Sequence, residues 1–222
     1  MTTAEDLLMI VTDPLSGKPQ LDSMKADPVI GGAHLLDLVA AGRLALDGDG
    51  RKARVVVSSH APVGDPVLEQ AFARVRNRGR QTPQNTVTKL GRQGRKHTYG
   101  ALVEKGKMRS RPAKALGIFT VSRYEVVDSA RRHDLINRVR ASLLHDQPAD
   151  AETGPLIGLL GAADLTKLLV DKPERRLAKA RAKVIAEGDW ASEGVRKAIQ
   201  AAQSAVTAGI VAATAAGAAG SS

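Results

Sequence analysis

Apolar residues at helical spacing open the chain: Leu7, Leu8, Ile10 and Val11 predict a short helix, and Pro14 to Pro19 reads as a turn. After a polar stretch, Ile30 to Gly42 predicts a helix that buries Leu35, Leu36, Leu38 and Val39. Leu44 to Asp47 and Ala53 to Ser58 read as a hairpin, because Gly48-Asp49-Gly50 supplies the positive φ values of a tight reversal. Asp65-Pro66 marks a helix start, with the carboxylate free to cap backbone N–H groups and proline in the first turn. That helix should reach about Asn77 and stop at Gly79. Thr82-Pro83 repeats the signal, and Pro83 to Lys105 reads as helix interrupted near Gly91 and Gly94. Met108 to Arg111 and Leu116 to Val121 predict a second hairpin with Pro112 near its tip.

The remainder reads as helix. Asp128 to His145 buries Leu135, Ile136, Val139 and Leu143; Pro155 to Val170 is apolar nearly all round and so belongs at the centre. Pro173 to Ala186 is charged on one face, and Ser192 to about Ala216 is alanine-rich and closes the domain. This order predicts a mainly α fold, a helical bundle core with surrounding amphipathic helices and one or two β-hairpins. Residues 1–216 form a single domain in this reading, and residues 217–222 a flexible C-terminal tail. A weak internal echo also stands out. Leu38-Val39-x-x-Gly42-Arg43-Leu44 before the first hairpin matches Leu102-Val103-x-x-Gly106-Lys107-Met108 before the second. Helix, glycine stop and hairpin is also how a winged-helix unit is written, which keeps a duplex nucleic-acid reading open.

Phe72, Tyr99, Phe119, Tyr124 and Trp190 are the only aromatic residues, so the core must be built from Leu, Val, Ile and Ala, which favours helices. Cysteine is absent, which excludes disulfides, thiolate zinc sites and a cysteine nucleophile. The first thirteen residues carry Glu5 and Asp6 ahead of a short apolar run, the wrong charge order and length for a secretory signal. Gln200, Gln203, Ser204 and Thr207 interrupt the alanine-rich end, so no stretch is expected to span a bilayer. The expectation is a cytoplasmic protein whose membrane contact, if any, is peripheral.

The formal charge is +10, from 33 Lys and Arg against 23 Asp and Glu. Its distribution says more. Thirteen cations lie between Arg74 and Lys114 against one acid, Glu104; the other residues carry 20 cations and 22 acids. A basic helix face can serve solubility alone, but so concentrated a segment repels itself unless something negative meets it. The natural partner is a polyanion, either a lipid surface or a nucleic acid. Each Lys or Arg near an anionic membrane contributes on the order of 1 kcal/mol, so four or five suffice for reversible docking. The shortage of stacking aromatics argues against single strands and makes nucleic acid the less favoured partner.

No catalytic pattern is found. His34, His60, His97, His133 and His145 are scattered without metal-ligand spacing, and neither phosphate-loop glycine motif nor a nucleophile elbow occurs. Asp65 with Glu69 reads as a cap and a solvated helix face. No cofactor is expected, and no enzyme.

Four stretches carry a family likeness: Gly31-Gly32-Ala33-His34-Leu35-Leu36-Asp37-Leu38-Val39-Ala40-Ala41-Gly42-Arg43-Leu44, Ala61-Pro62-Val63-Gly64-Asp65-Pro66-Val67-Leu68-Glu69-Gln70-Ala71, Leu102-Val103-Glu104-Lys105-Gly106 and Glu187-Gly188-Asp189-Trp190. In this order they resemble the Golgi phosphoprotein 3 family, particularly its bacterial members, from about Ala4 to Ala213. The resemblance implies a helical fold around a central bundle, a β-hairpin for self-association and membrane contact, and no enzymatic activity. It implies phosphatidylinositol 4-phosphate binding and capture of the cytoplasmic tails of membrane proteins in eukaryotic members. It places Arg92 and Arg95 on the two lipid-pocket arginines that precede the Leu-Val-Glu-Lys-Gly run; Lys96 and Arg80 join them as candidate phosphate ligands. Asp22 and Gly31 stand where an aromatic residue and a third arginine are expected. The functional expectation is a peripheral membrane adaptor for anionic phospholipid headgroups, homo-oligomeric through a hairpin.

Overall fold

The computed structural model describes residues 1–115, 119–188 and 193–219. Helix α1 (Thr3–Val11) begins in a capping box, with the Thr2 hydroxyl accepting from Glu5 N–H and the Glu5 carboxylate accepting from Thr2 N–H. Helix α2 (Ser23–Ala40) starts seven residues before the expected Ile30 and runs through Pro28. Asp22 caps Met24 N–H at 2.8 Å, and burial of Ala26, Val29 and Ile30 offsets the one backbone bond that Pro28 cannot make. Residue Asp37 of α2 holds α1 in place by accepting from Thr3 N–H at 3.0 Å and Thr3 Oγ1 at 2.6 Å.

Strands β1 (Leu44–Asp47) and β2 (Arg54–Val57) pair antiparallel from Leu44↔Val57 to Asp47↔Arg54. Helix α3 (Pro66–Ala73) is capped by Asp65, as expected, but ends before Asn77. Its backbone tightens to i→i−3 bonds at Arg74 and Val75, because beyond Val75 no apolar residue remains to hold a helical face down. Helices α4 (Pro83–Gly91) and α5 (Gly94–Glu104) confirm the predicted interruption.

Strands β3 (Met108–Ala115) and β4 (Phe119–Val126) form the second hairpin, and Pro112 lies mid-strand opposite Ser122 rather than near the tip. A two-stranded ribbon leaves outer edges unpaired, so a proline can face outward there without losing a ladder bond. Residues 116–118, where the second strand was predicted to begin, lie outside the described residues. The hairpin base is held from below: the Tyr99 and Tyr124 rings stack at 3.8 Å, the Tyr99 hydroxyl meets the Thr12 hydroxyl at 2.8 Å, and Tyr124 N–H donates to Gly17 O at 2.9 Å.

Helix α6 (Ser129–Leu144) follows its Asp128 cap. Helix α7 (Thr153–Ala162) is central as expected but shorter than predicted: Asp164 turns left-handed at φ +57° and a 3-10 turn, Thr166–Leu168, replaces the last helical turns. Helices α8 (Arg175–Glu187) and α9 (Glu193–Ala219) complete the order. Helix α9 continues past Gly217, where the tail was predicted to begin, and residues 220–222 lie outside the described residues, as do Asp189 and Trp190.

The described residues are mainly α with two antiparallel hairpins. Helix α2 is at the centre, packed by α1, α4, α5, α7 and α9. The internal echo has a local cause. Gly42 N–H bonds Val39 O and Arg43 N–H bonds Leu38 O; Gly106 N–H bonds Val103 O and Lys107 N–H bonds Leu102 O. Both glycines are left-handed, at φ +67° and +66°. The repeated pattern is the same helix-ending motif, used twice to turn a buried helix into a hairpin. Every residue of α2 from Val29 to Leu36 is buried, so this part of the helix has no free face to enter a DNA groove as a recognition helix must.

By length and composition Glu193–Ala216 could cross a membrane, against the sequence expectation, since alanine outweighs the interrupting polar residues. In the fold Ala198, Ile199, Ala202, Ala205 and Val206 of this helix are buried core residues.

Candidate functional site

The thirteen cations between Arg74 and Lys114 divide into two groups. Five are tied to carboxylates: Arg80 to Asp47 at 2.5 Å, Lys105 to Glu5 at 2.6 Å and Asp65 at 2.9 Å, Lys107 to Asp128 at 2.8 Å, and Arg109 and Arg111 to Glu125 at 3.8 and 2.6 Å. Lys89 donates to the Gln81 side chain. Among the described residues Arg74, Arg76, Arg78, Arg92, Arg95, Lys96 and Lys114 form no ion pair. Part of the predicted basic face is therefore paired within the molecule, and the cations outside ion pairs fall at the end of α3 (Arg74, Arg76, Arg78) and at the α4–α5 link (Arg92, Arg95, Lys96), with Lys114 on β3.

That link is dictated by contact between backbones. A Cβ on Gly91 would lie 1.9 Å from Asp27 O, and one on Gly31 would lie 2.0 Å from Val87 O, so α2 and α4 touch where neither helix can carry a side chain. At Gly91 α4 ends; Arg92 departs with ψ 117°, Gln93 is left-handed at φ +57°, and α5 starts at Gly94. Gly94 is equally constrained, since its Cβ would stand 2.5 Å from Ile30 Cγ2 and 3.5 Å from His34 Nε2.

Arg92 consequently lies in the two-residue link and Arg95 in the first turn of α5, with the exposed Lys96 beside it. Gln93 gives that turn no side-chain cap, so the positive end of the helix dipole adjoins three cations that form no ion pair among the described residues. Arg80 does not join them. It precedes α4, whose nine residues rise about 13 Å, and its charge is engaged by Asp47 on the first hairpin.

The same contacts settle the two departures from the family pattern. An arginine at Gly31 would collide with the α4 backbone, so no third arginine can stand there in this fold. Asp22 spends its carboxylate on the α2 cap.

Arg74, at the end of α3, is the cation that the sequence reading missed. It and Arg95 both act on Asp27, whose carboxyl is pushed above its usual range by desolvation against the partial relief from those two guanidinium groups. Arg74 also acts on His34, which burial lowers to about 4, with Asp65 opposing that shift and Arg74 and His97 adding to it. No periodicity or motif singles out Arg74; only the packing of α3 against α2 and α5 brings it in. The site is thus an arginine-rich notch with one carboxylate, Asp27, at its edge. Chemically it can hold a phosphate-type anion through guanidinium forks and uncapped amides. A separate cleft of about 670 Å³ lies between the first hairpin, the start of α4 and α9, and none of Arg80, Arg92, Arg95 and Lys96 lines it.

In comparison with known proteins, the sequence profile of the family described as Golgi phosphoprotein 3 (GPP34) matches residues 4–202. No curated protein matches the chain.

Proposed function

Because the chain belongs to the Golgi phosphoprotein 3 family, we propose that it is a non-enzymatic adaptor that docks peripherally on a cytoplasmic membrane face through anionic phospholipid headgroups. Arg92, Arg95 and Lys96 would hold the headgroup phosphate, with Arg74 as a further cation. The observation that carries this reading is the placement of three cations, none in an ion pair among the described residues, at the uncapped start of α5, with Asp27 near Arg95 as the one carboxylate that acts on them. Exclusion of an arginine at Gly31 and the nearby Asp27 favour a generic anionic headgroup over strict phosphatidylinositol 4-phosphate selectivity. Cytoplasmic tails of membrane proteins as cargo, and self-association through the β3–β4 hairpin, belong to the same proposal and rest on the family.

Co-sedimentation tests it, using phosphatidylcholine vesicles with and without a phosphoinositide. Arg92→Ala/Arg95→Ala should weaken binding by about 2 kcal/mol, roughly thirtyfold, with unchanged thermal stability. Equal binding by parent and variant removes the notch from the account, and tight duplex DNA binding without vesicle binding replaces the account altogether.

A further inference from the structure

The geometry points to a second membrane-binding surface, on the outer face of α8, that does not depend on the Arg92–Arg95 notch. Helix α8 buries Ala178, Ala182, Ile185 and Ala186 against α6, α7 and α9. Its other side is not purely polar. Leu177 is 51% and Val184 55% exposed, and with Ala180 they form an apolar strip along the helix. Lys179, Lys183 and Arg176 border one edge of the strip, and Lys172 and Arg175 add two more cations at its start. None of these five forms an ion pair among the described residues. Arg181 borders the other edge and is held by Asp146 at 2.6 Å.

The nearby acids do not cancel this charge. Asp171 and Glu174 cap each other in the preceding turn, Asp164 pairs with Lys167 and acts on Lys179 only at longer range, and Glu187 lies at the far end of the helix. An exposed apolar strip edged by lysine and arginine is the composition of a helix that lies in the headgroup layer, its cations meeting lipid phosphates while its apolar side chains enter the acyl boundary. A second copy of this face would bring like charges together, and a nucleic acid would meet the cations but leave Leu177 and Val184 in water. An anionic bilayer satisfies both sets of groups. The surface is on a different helix from the notch: α8 packs chiefly on α7 and α6, α4 and α5 pack on α2, and α9 touches both α4 and α8.

Partitioning of the full chain is measured on vesicles of phosphatidylcholine alone and of phosphatidylcholine with phosphatidylglycerol. Three variants are compared: Lys179→Glu/Lys183→Glu, Leu177→Ser/Val184→Ser and Arg92→Ala/Arg95→Ala. All six positions are exposed or half-buried, and circular dichroism melts verify that each variant folds. On the anionic vesicles the charge reversal should lower the partition coefficient by at least about tenfold. The serine pair should lower it about threefold or more, and that loss should persist at high salt, where screening removes the ionic part. Parent-like binding by both α8 variants overturns the proposal. So does loss confined to the charge reversal and equal on vesicles and duplex DNA, which marks a polyanion surface instead. Loss in the α8 variants with none in the Arg92/Arg95 variant upholds α8 and rejects the notch; the reverse pattern does the opposite.

Discussion

His34, buried, and Asp37, half-buried with its Oδ2 shut from water, lie one turn apart on α2 and respond to acid in opposite senses. Burial lowers His34 to about 4, so the folded state resists the proton that the unfolded chain accepts near its ordinary value. Stability from this group is full above that ordinary value and declines, by about 3 kcal/mol, as pH falls to 4. Burial raises Asp37 to about 6 against the opposing hydrogen bonds from Thr3. Its folded form holds a proton that the unfolded chain has released, so its contribution is full in acid and is lost, again by about 3 kcal/mol, as pH rises through 6. Between pH 4 and 6 the two slopes offset each other. Asp37→Asn keeps an oxygen for Thr3 and removes only the titration. Urea unfolding across pH 4 to 7 should show the variant gaining stability over the parent as pH rises, with a steeper overall slope; parallel curves would mean that Asp37 titrates normally. These two residues sit in the stretch that marks the family, and their spacing alone does not reveal that burial shifts both.

At the scale of elements, glycine was the most legible residue and proline the least. Gly42, Gly91, Gly94 and Gly106 end or begin helices where the sequence places them, because a left-handed stop or a side-chain-free contact leaves no substitute. The helical turns of α2 around Pro28 were not predicted, and Pro112 was misread as near a tip. Each lacks an N–H that the tertiary setting does not require, inside α2 and on an outward ribbon edge. The two kinds of glycine separate experimentally. A Cβ on Gly106 meets nothing within 4 Å, so Gly106→Ala costs only its left-handed conformation, about 1 kcal/mol. Gly31→Ala forces α2 and α4 apart and should cost about 3 kcal/mol or more. Chemical denaturation of the two variants checks the order, and similar losses would show that the helix contact relaxes freely.

Across the whole molecule the cations divide into those paired with carboxylates and those that are not, a division that composition does not reveal. Local density identified the segment from Arg74 to Lys114, in which Arg92, Arg95 and Lys96 are neighbours at the α4–α5 link. The division into braced and free cations depends on acids far away in sequence: Glu5 is 100 residues from its partner Lys105. Lys105 links α1 to the cap of α3 by bridging the buried Glu5 and Asp65, and its ammonium is raised above its usual value by those carboxylates against the cost of desolvation. Lys105→Met would leave Glu5, 1% exposed, with only the Thr2 amide as partner. Stranding a buried carboxylate in this way costs about 2 to 3 kcal/mol once the partial exposure of Lys105 is allowed for. Arg92→Ala removes an exposed side chain with no ion pair among the described residues and should stay within about 0.5 kcal/mol of the parent. Guanidinium unfolding of both variants, beside their binding to anionic vesicles, should therefore give crossed results: Lys105→Met unstable but binding normally while folded, Arg92→Ala stable but binding weakly. If both variants lost stability and binding together, bracing and docking would be one network, and the free cations at the α4–α5 link could not be treated as a separate anion site.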